Sequence, residues 1–325
     1  MTVPTLLKPL QPRVILSNLR AAAILAPWLV HLLGSDLVLS LLLPISFFAP
    51  TFAYHLSSKI AFWVWIGIQS IFTKWNKARI TVSGDKLPQH ESAIVVCNHV
   101  SWTDFYLVQQ LALKSNMLGY CRYFAKQQLK WVPFLGWGLW ATGMPLISRN
   151  WERDQTELQR VFRGPKQYRW PIWLVSYSEA TRFTPQKYLE TVQWCKEKGK
   201  PVPRYTLFPR TKGFVATVKE LRQSSSIQAV YDLTIAYAHQ GHFLEAPTMW
   251  DSLSRPNLDR DFQLHVHADR FDIKDFADKS DDELAQWLED RWMAKSKKLE
   301  ALQEELDTSK QWTDSVDEHA TKKSL

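Results

Sequence analysis

Between Ala21 and Pro50 the chain carries one formal charge, Asp36, in the run AAAILAPWLVHLLGSDLVLSLLLPISFF. That run exceeds the roughly 20 apolar residues needed to cross the hydrocarbon core of a bilayer, and an uncharged stretch this long is rare inside a soluble core. A membrane segment is therefore the expectation that governs the rest of the fold. Pro27, Pro44 and the Gly34-Ser35-Asp36 triplet are points of weakness, so two half-helices entering and leaving one leaflet stay open as an alternative to a crossing. Ile60 to Phe72 (IAFWVWIGIQSIF) is apolar for 13 residues, which spans only about 20 Å as a helix. That length predicts a re-entrant or interfacial helix. Lys8, Arg13 and Arg20 precede the first run, Lys74, Lys77 and Arg79 follow the second, and only Lys59 lies between. The positive-inside rule then puts both outer flanks, and the remainder of the chain, in the cytosol. The run is too long for a signal peptide and no A-x-A site closes it. Residues 1–79 are read as a membrane-anchoring region.

The remaining charge narrows the function classes. Lys and Arg number 40 against 32 Asp and Glu, a net +8. The last 46 residues, from Ser280, are net −5, so the first 279 carry +13. A basic surface suits nucleic acid, anionic lipid or a phosphorylated substrate. Nucleic acid is disfavoured, because no Lys/Arg cluster interleaved with aromatics, no zinc finger and no RNP-like segment occurs. Three cysteines (Cys97, Cys121, Cys195) without a CxxC pair exclude a disulfide scaffold and argue against a zinc ribbon.

After Thr73 short β-branched runs alternate with amphipathic stretches, the pattern of an α/β domain with a mixed or parallel sheet and flanking helices. Strands are expected at Ala93–Cys97, Pro145–Ser148, Ile172–Ser176, Thr206–Phe208 and Ala229–Ala236, and helices at Thr103–Leu113, Trp151–Phe162, Pro185–Lys198 and Gly213–Ser224. Ser280 and Glu283 form an S-x-x-E capping box, followed by Leu284, Leu288, Trp292, Lys295, Leu299, Leu302 and Leu306 at spacings of three and four. This predicts an amphipathic helix packed on the domain. The chain thus divides into 80–245, the main α/β domain, 246–306, a C-terminal α/β extension with the amphipathic helix, and 307–325, a polar tail expected to fray.

The segment A93-I-V-V-C-N-H-V-S-W-T-D104 places a histidine just after a strand and a carboxylate five residues on. Within one helix these side chains diverge by about 140°. A strand-to-helix turn capped by Ser101 or Thr103 folds them back together. His99 then acts as a general base, with Asp104 fixing its tautomer. Taken alone, the pair reads equally as a helix cap and an unrelated surface histidine. His239, His242, His265 and His267 lie near one another without nearby acids and read as surface residues, not as a metal site.

The order of further motifs adds to this. N98-H99-V-S-W-T-D104, A125-K-Q-Q-L-K-W-V-P-F-L-G-W137, P145-L-I-S-R149, S178-E-A-T-R182 and L207-F-P-R-T-K-G-F214 resemble, in order, the NHxxxxD, KxxLxxxPxxGW, F-I-x-R, EGTR and Pro-Arg blocks of the glycerolipid acyltransferases. The resemblance runs from Ala93 to Ala238. It extends loosely to W287-L-E-D-R-W-M-A-K295, which is similar to the C-terminal part of the larger eukaryotic members acting on lysophosphatidic acid, lysocardiolipin or lysophosphatidylinositol.

The family implies a membrane enzyme, in the endoplasmic reticulum with its domain facing the cytosol, that moves an acyl group from acyl-CoA to a lysophospholipid hydroxyl without cofactor or metal. Lysophosphatidic acid, giving phosphatidic acid, is the first choice of acceptor, and lysophosphatidylinositol or lysocardiolipin the alternative. A catalytically silent lipid-binding or tethering protein is the rival of another class. His99 and Asp104 would be catalytic. Lys126, Arg149, Glu179, Thr181, Arg182, Pro209 and Arg210 would contact substrate. Arg182 and Lys126 suit the acceptor phosphate, while Arg149 and Arg210 fit acceptor or CoA phosphates, or a structural ion pair. Glu179 is expected to orient an arginine or the acceptor glycerol, Thr181 to cap a turn, and Asn98 to bond a loop backbone. Asp232 is left open between a structural turn acid and a wall of the pocket. Cys97 reads as a small core residue in preference to a nucleophile. Two departures stand out: Ala180 replaces the usual glycine, and Tyr177-Ser178 stands where Phe-Pro is common. Alanine resists positive φ, so the turn is expected to be right-handed or extended, or the pocket slightly reshaped.

Overall fold

The computed structural model describes residues 12–132, 135–148 and 151–317. Its elements in order are α1 (Pro12–Leu41), α2 (Leu43–Phe48), α3 (Pro50–Ser70), β1 (Ile80–Asp85), β2 (Ala93–Cys97), α4 (Asp104–Lys114), β3 (Cys121–Tyr123), β4 (Ala125–Lys126), α5 (Leu135–Ala141), β5 (Leu146–Ile147), α6 (Trp151–Tyr168), β6 (Trp173–Tyr177), α7 (Pro185–Lys198), α8 (Thr211–Leu221), β7 (Ala229–His239), β8 (His242–Phe243), α9 (Met249–Ser254), β9 (Phe262–Asp272), α10 (Asp281–Ser309) and β10 (Ser315–Asp317).

The run AIVVC is buried along its whole length because β2 is central in the sheet and both faces are covered, as parallel strands require. The strand order is β10-β1-β9-β7-β2-β6-β3, with β8 beside β7. Strands β7, β2, β6 and β3 run parallel to one another, and β9 joins β7 antiparallel, making the sheet mixed. Alternation sends Ala93, Val95 and Cys97 into a core shared with α4 and the end of α3. It sends Ile94 and Val96 to the other face, against residues of α6, α8 and α10.

Four expectations change. Thr206–Phe208 is not a strand but a loop in which Thr206 and Leu207 are buried. The strands β1 and β9 were not anticipated, and β9 inserts residues 262–272 between β1 and β7 in the middle of the sheet. The tail is ordered further than polarity suggested: α10 runs to Ser309, Trp312 is buried, and β10 pairs in parallel with β1. His265 and His267 are not surface residues. They are buried on β9, where Ser83 Oγ bridges His265 Nε2 and His267 Nδ1 at 2.8 Å each, and burial, with His267 beside it, pushes the His265 imidazole down to about 4. The capping box at Ser280 forms, and Leu284, Leu288, Trp292, Lys295, Leu299, Leu302 and Leu306 are all buried against the domain.

At the N-terminus α1 passes Pro27 and Gly34-Ser35-Asp36 without a break, so the half-helix alternative gives way to one long helix. Its Val14–Leu41 portion is long and apolar enough to cross a membrane, and is largely unburied. The segment Ile60–Phe72 is the end of the 21-residue α3 and the start of the π-helical turn that follows it, Ile71–Trp75, and α3 docks on the α/β domain. Trp28 Nε1 donates to Val64 O at 3.0 Å, Tyr54 Oη to Pro171 O at 2.6 Å, and Gln69 Nε2 to Tyr106 O at 3.2 Å. Ile68, Ile71 and Phe72 belong to the main core. Residues 50–72 are therefore structural to the catalytic domain, a role that apolar length alone does not reveal.

Candidate active site

The site lies at the C-terminal ends of the parallel strands β2, β6 and β7, where open α/β sheets place their ligands. His99 leaves β2 two residues after Cys97. The chain then turns, and Asp104 enters the first turn of α4 behind Thr103, whose side chain makes no cap. Asp104 itself does the capping work: Oδ2 accepts from Val100 N at 2.8 Å and Oδ1 from Ser101 N at 3.0 Å. Oδ2 also lies 2.7 Å from His99 Nδ1. The turn thus closes the five-residue gap that a continuous helix would leave open. Asp104 is fully buried, whereas the His99 side chain is 20% exposed. With Nδ1 on Asp104, Nε2 is the nitrogen left to take a proton from outside.

Three aromatic residues complete this arrangement. Tyr237, in β7, donates its phenol to Asp104 Oδ1 at 2.8 Å and accepts from Thr103 Oγ1 at 3.2 Å. Tyr177, at the end of β6, stacks on the imidazole with ring centroids 4.3 Å apart. Trp292, on α10, donates its indole N–H to Glu179 Oε1 at 3.3 Å, and the same oxygen accepts from His99 N at 3.4 Å. None of the three had a role in the sequence reading. Tyr177 had a signal there as a departure from the common Phe-Pro, and Trp292 as a core position of the amphipathic helix; Tyr237 had none.

The other expected residues fall into distinct places. Asn98 exchanges two hydrogen bonds with the backbone of Ile235 in β7, at 2.7 and 2.9 Å, so it clamps a strand instead of a loop. Ala180 takes φ +58°. The left-handed turn is kept in spite of the missing glycine, at a cost of roughly 1–2 kcal/mol. This turn joins the blocks: Phe183 N donates to His99 O at 2.7 Å and Arg210 N to Ser178 O at 2.7 Å. Arg182 and Arg210 are thereby brought beside the dyad's loop. Both are exposed, and neither side chain pairs with an acid among the described residues.

Thr181 accepts from Lys187 Nζ and Pro209 is buried. Lys126 is exposed in β4, which pairs with β5 in a separate two-stranded sheet. Arg149 lies outside the described residues.

Glu179 is 3% exposed. Burial pushes its carboxyl up to about 8. Asp232 is neither a turn acid nor a pocket wall. It sits within β7, fully buried, with Arg291 Nε at 2.7 Å and Lys295 Nζ on its oxygens. Cys97 is in the core, and burial raises its thiol far above the ordinary value, which removes the thiolate a nucleophile needs.

Against known proteins, the Acyltransferase family matches residues 79–238. A 1-acyl-sn-glycerol-3-phosphate acyltransferase 2 from Brassica napus is 31% identical over 290 residues, covering 86% of this chain and 72% of that protein. The chain belongs to the glycerolipid acyltransferase family. Human 1-acyl-sn-glycerol-3-phosphate acyltransferase delta is 33% identical over 219 residues, 66% of this chain and 53% of that one. The crystal structure of the 1-acyl-sn-glycerophosphate (LPA) acyltransferase from Thermotoga maritima aligns with TM-score 0.46 at 15% identity, over 84% of this chain and 98% of that chain. For a glycerolipid acyltransferase, the dyad and the two unpaired arginines sit on adjoining loops, tied to each other through backbone hydrogen bonds.

Proposed function

We propose that the protein transfers a fatty acyl group from acyl-CoA to the free hydroxyl of 1-acylglycerol-3-phosphate, at the face of a membrane held by α1. The observation that carries this reading is the buried Asp104 on His99 Nδ1, with exposed Arg182 and Arg210, unpaired with any acid among the described residues, on the loops tied to it. The named activity of the relatives supports the same acceptor.

In this mechanism His99 Nε2 takes the proton of the lysolipid hydroxyl as its oxygen attacks the thioester carbonyl. Asp104 stabilises the imidazolium that forms, and the phenol of Tyr237 with the Val100 and Ser101 amides holds that carboxylate in place. The tetrahedral adduct then expels the CoA sulfur, which receives the proton from His99. No covalent acyl-enzyme forms, consistent with the buried Cys97. Arg182 binds the acceptor phosphate through its guanidinium fork, and Arg210 serves acceptor or CoA phosphate. Glu179 supports the His99 backbone from beneath and does not contact the glycerol. The positive flanks of the N-terminal helices orient the domain to the cytosol, in keeping with the endoplasmic reticulum.

Release of free CoA thiol by membranes containing the protein, given acyl-CoA and a panel of lysophosphatidic acid, lysophosphatidylinositol and lysocardiolipin, tests the acceptor. Highest kcat/KM with lysophosphatidic acid is expected. A preference for either other lysolipid overturns the choice of acceptor, and no thiol release with any of them overturns the enzyme reading.

A further inference from the structure

Away from the dyad, α2, α3, α5 and α6 enclose a cavity of about 380 Å³, in the size range of small-molecule sites. Its wall carries Arg122, Arg160 and Arg163 beside the aromatic rings of Tyr54, Trp140 and Trp170, and no carboxylate among the described residues. Arg122 is fully buried. Its guanidinium donates to Gly119 O at 2.8 Å, Cys121 O at 3.0 Å and Ser58 Oγ at 2.7 Å, and lies over the Tyr54 ring at 5.0 Å. All of these partners are neutral, and its Nε has none. Among the described residues Arg122 therefore has no counter-ion, and a buried charge left in that condition is costly unless an anion comes from outside. Arg160 is held by Glu157 at 2.7 Å. Arg163 is exposed and bonds only Gln167 among the described residues.

The cavity is distinct from the catalytic centre. Ile172, which lines it, precedes the first residue of β6, and Trp173 pairs with Ala93 while Tyr177 pairs with Cys97. The dyad is thus at the opposite end of these strands, about 16 Å away along five residues of strand. On its other side the cavity borders Leu43, Phe47 and Pro50. From there a strongly apolar surface continues, with Phe47 77%, Phe48 91% and Phe52 60% exposed.

We propose that this cavity is a second, non-catalytic site for the phosphate headgroup of an anionic phospholipid, whose acyl chains lie along the exposed phenylalanines of α2 and α3. An amphiphile is the occupant because cationic and apolar walls meet in one cavity. The site rests on the reading of α1 to α3 as membrane-associated helices. Occupancy gives Arg122 the counter-charge that the fold withholds and draws the α2–α3 corner into the leaflet.

The test uses the full chain with His99→Ala, so that turnover does not alter the lipids, purified in neutral detergent. Native mass spectrometry counts retained dioleoylphosphatidylglycerol and dioleoylphosphatidylcholine, each with and without inorganic phosphate. One phosphatidylglycerol should be retained at least tenfold in preference to phosphatidylcholine, and phosphate should not displace it. Adding Arg163→Glu, a surface change, should lower retention roughly tenfold, the loss expected for one charged contact. Arg122→Gln should abolish retention, and Arg163→Glu carries the test should that variant not fold. Equal retention of the two lipids, no effect of Arg163→Glu, or displacement by free phosphate overturns the proposal. So does a changed donor chain-length preference in Arg163→Glu with His99 intact, because the cavity would then belong to the path of the donor chain. Carbonate extraction of the same preparations reports the membrane reading separately.

Discussion

Replacing Glu179 by glutamine separates a buried support from a substrate ligand. Glu179 is 3% exposed, and burial raises its carboxyl from 4.5 to about 8. Between those two values the unfolded chain has released this proton and the folded chain still holds it. Unfolding therefore releases a proton, and stability falls as pH rises from about 4.5 to about 8, then levels off. At pH 7 the unfolded carboxyl is ionised and the native one mainly protonated, a difference of about 2.5 pH units, on the order of 3 kcal/mol at 1.4 kcal/mol per unit. Glutamine is neutral at every pH, has nearly the same shape, and can still accept from Trp292 and His99 N. Glu179→Gln should therefore raise Tm at pH 8 by several degrees, with the gain vanishing toward pH 4.5. Acyl transfer should stay within a few-fold of wild type. Thermal unfolding in detergent, followed by tryptophan fluorescence at pH 4.5, 7 and 8, together with thiol release at pH 7, measures both. A Tm lowered equally at all three pH values, or loss of turnover in a protein of unchanged Tm, refutes the reasoning and returns Glu179 to the substrate.

Arg182→Ala should raise the lysophosphatidic acid KM about 10- to 100-fold, the equivalent of the 1.5–3 kcal/mol of a charged hydrogen bond, with the acyl-CoA KM unchanged. Its Tm should not move, since Arg182 is exposed; a fall in Tm with an intact KM would make it structural. Cys97→Ser should retain most turnover, and capture of a labelled acyl thioester on Cys97 would contradict direct transfer. Tyr237→Phe removes the 2.8 Å bond to Asp104, so kcat should fall roughly tenfold while both KM values hold and the acidic limb of its pH profile moves. An unchanged pH profile would reduce Tyr237 to packing.

The legible part of this fold was the part whose burial is apolar. AIVVC, the run at 173–177 and β7 declare themselves by composition, and Pro185–Lys198 by its boundaries. Strand β9 did not, because FQLHVHADRFD alternates apolar residues with His265, His267 and Asp269, which read as solvent-facing. These polar residues are buried, and their charges and hydrogen bonds are met by partners far away in the chain: Thr81, Ser83 and Arg291. No local pattern encodes such pairing. At the site, the five-residue spacing of His99 and Asp104 was enough to foresee their meeting, because the turn between them is short. The bond from Trp292 to Glu179 spans 113 residues and leaves no trace in the sequence. The N-terminal run announced its apolarity, but not that α1 would leave most of its surface unburied while α3 joined the core. Both are apolar and both bond the domain through polar side chains, Ser17 and Arg20 on α1 and Ser58 and Gln69 on α3, so what separates them is how many of their apolar side chains the domain covers.

Purified protein in phosphatidylcholine vesicles, given oleoyl-CoA and 1-oleoylglycerol-3-phosphate, tests the central claim through phosphatidic acid formed and thiol released in equal amounts. Wild type should produce both. His99→Ala, at the same membrane level and Tm, should lose 10²- to 10⁴-fold in kcat with little change in either KM. Turnover by His99→Ala near that of wild type would contradict the assignment of the dyad.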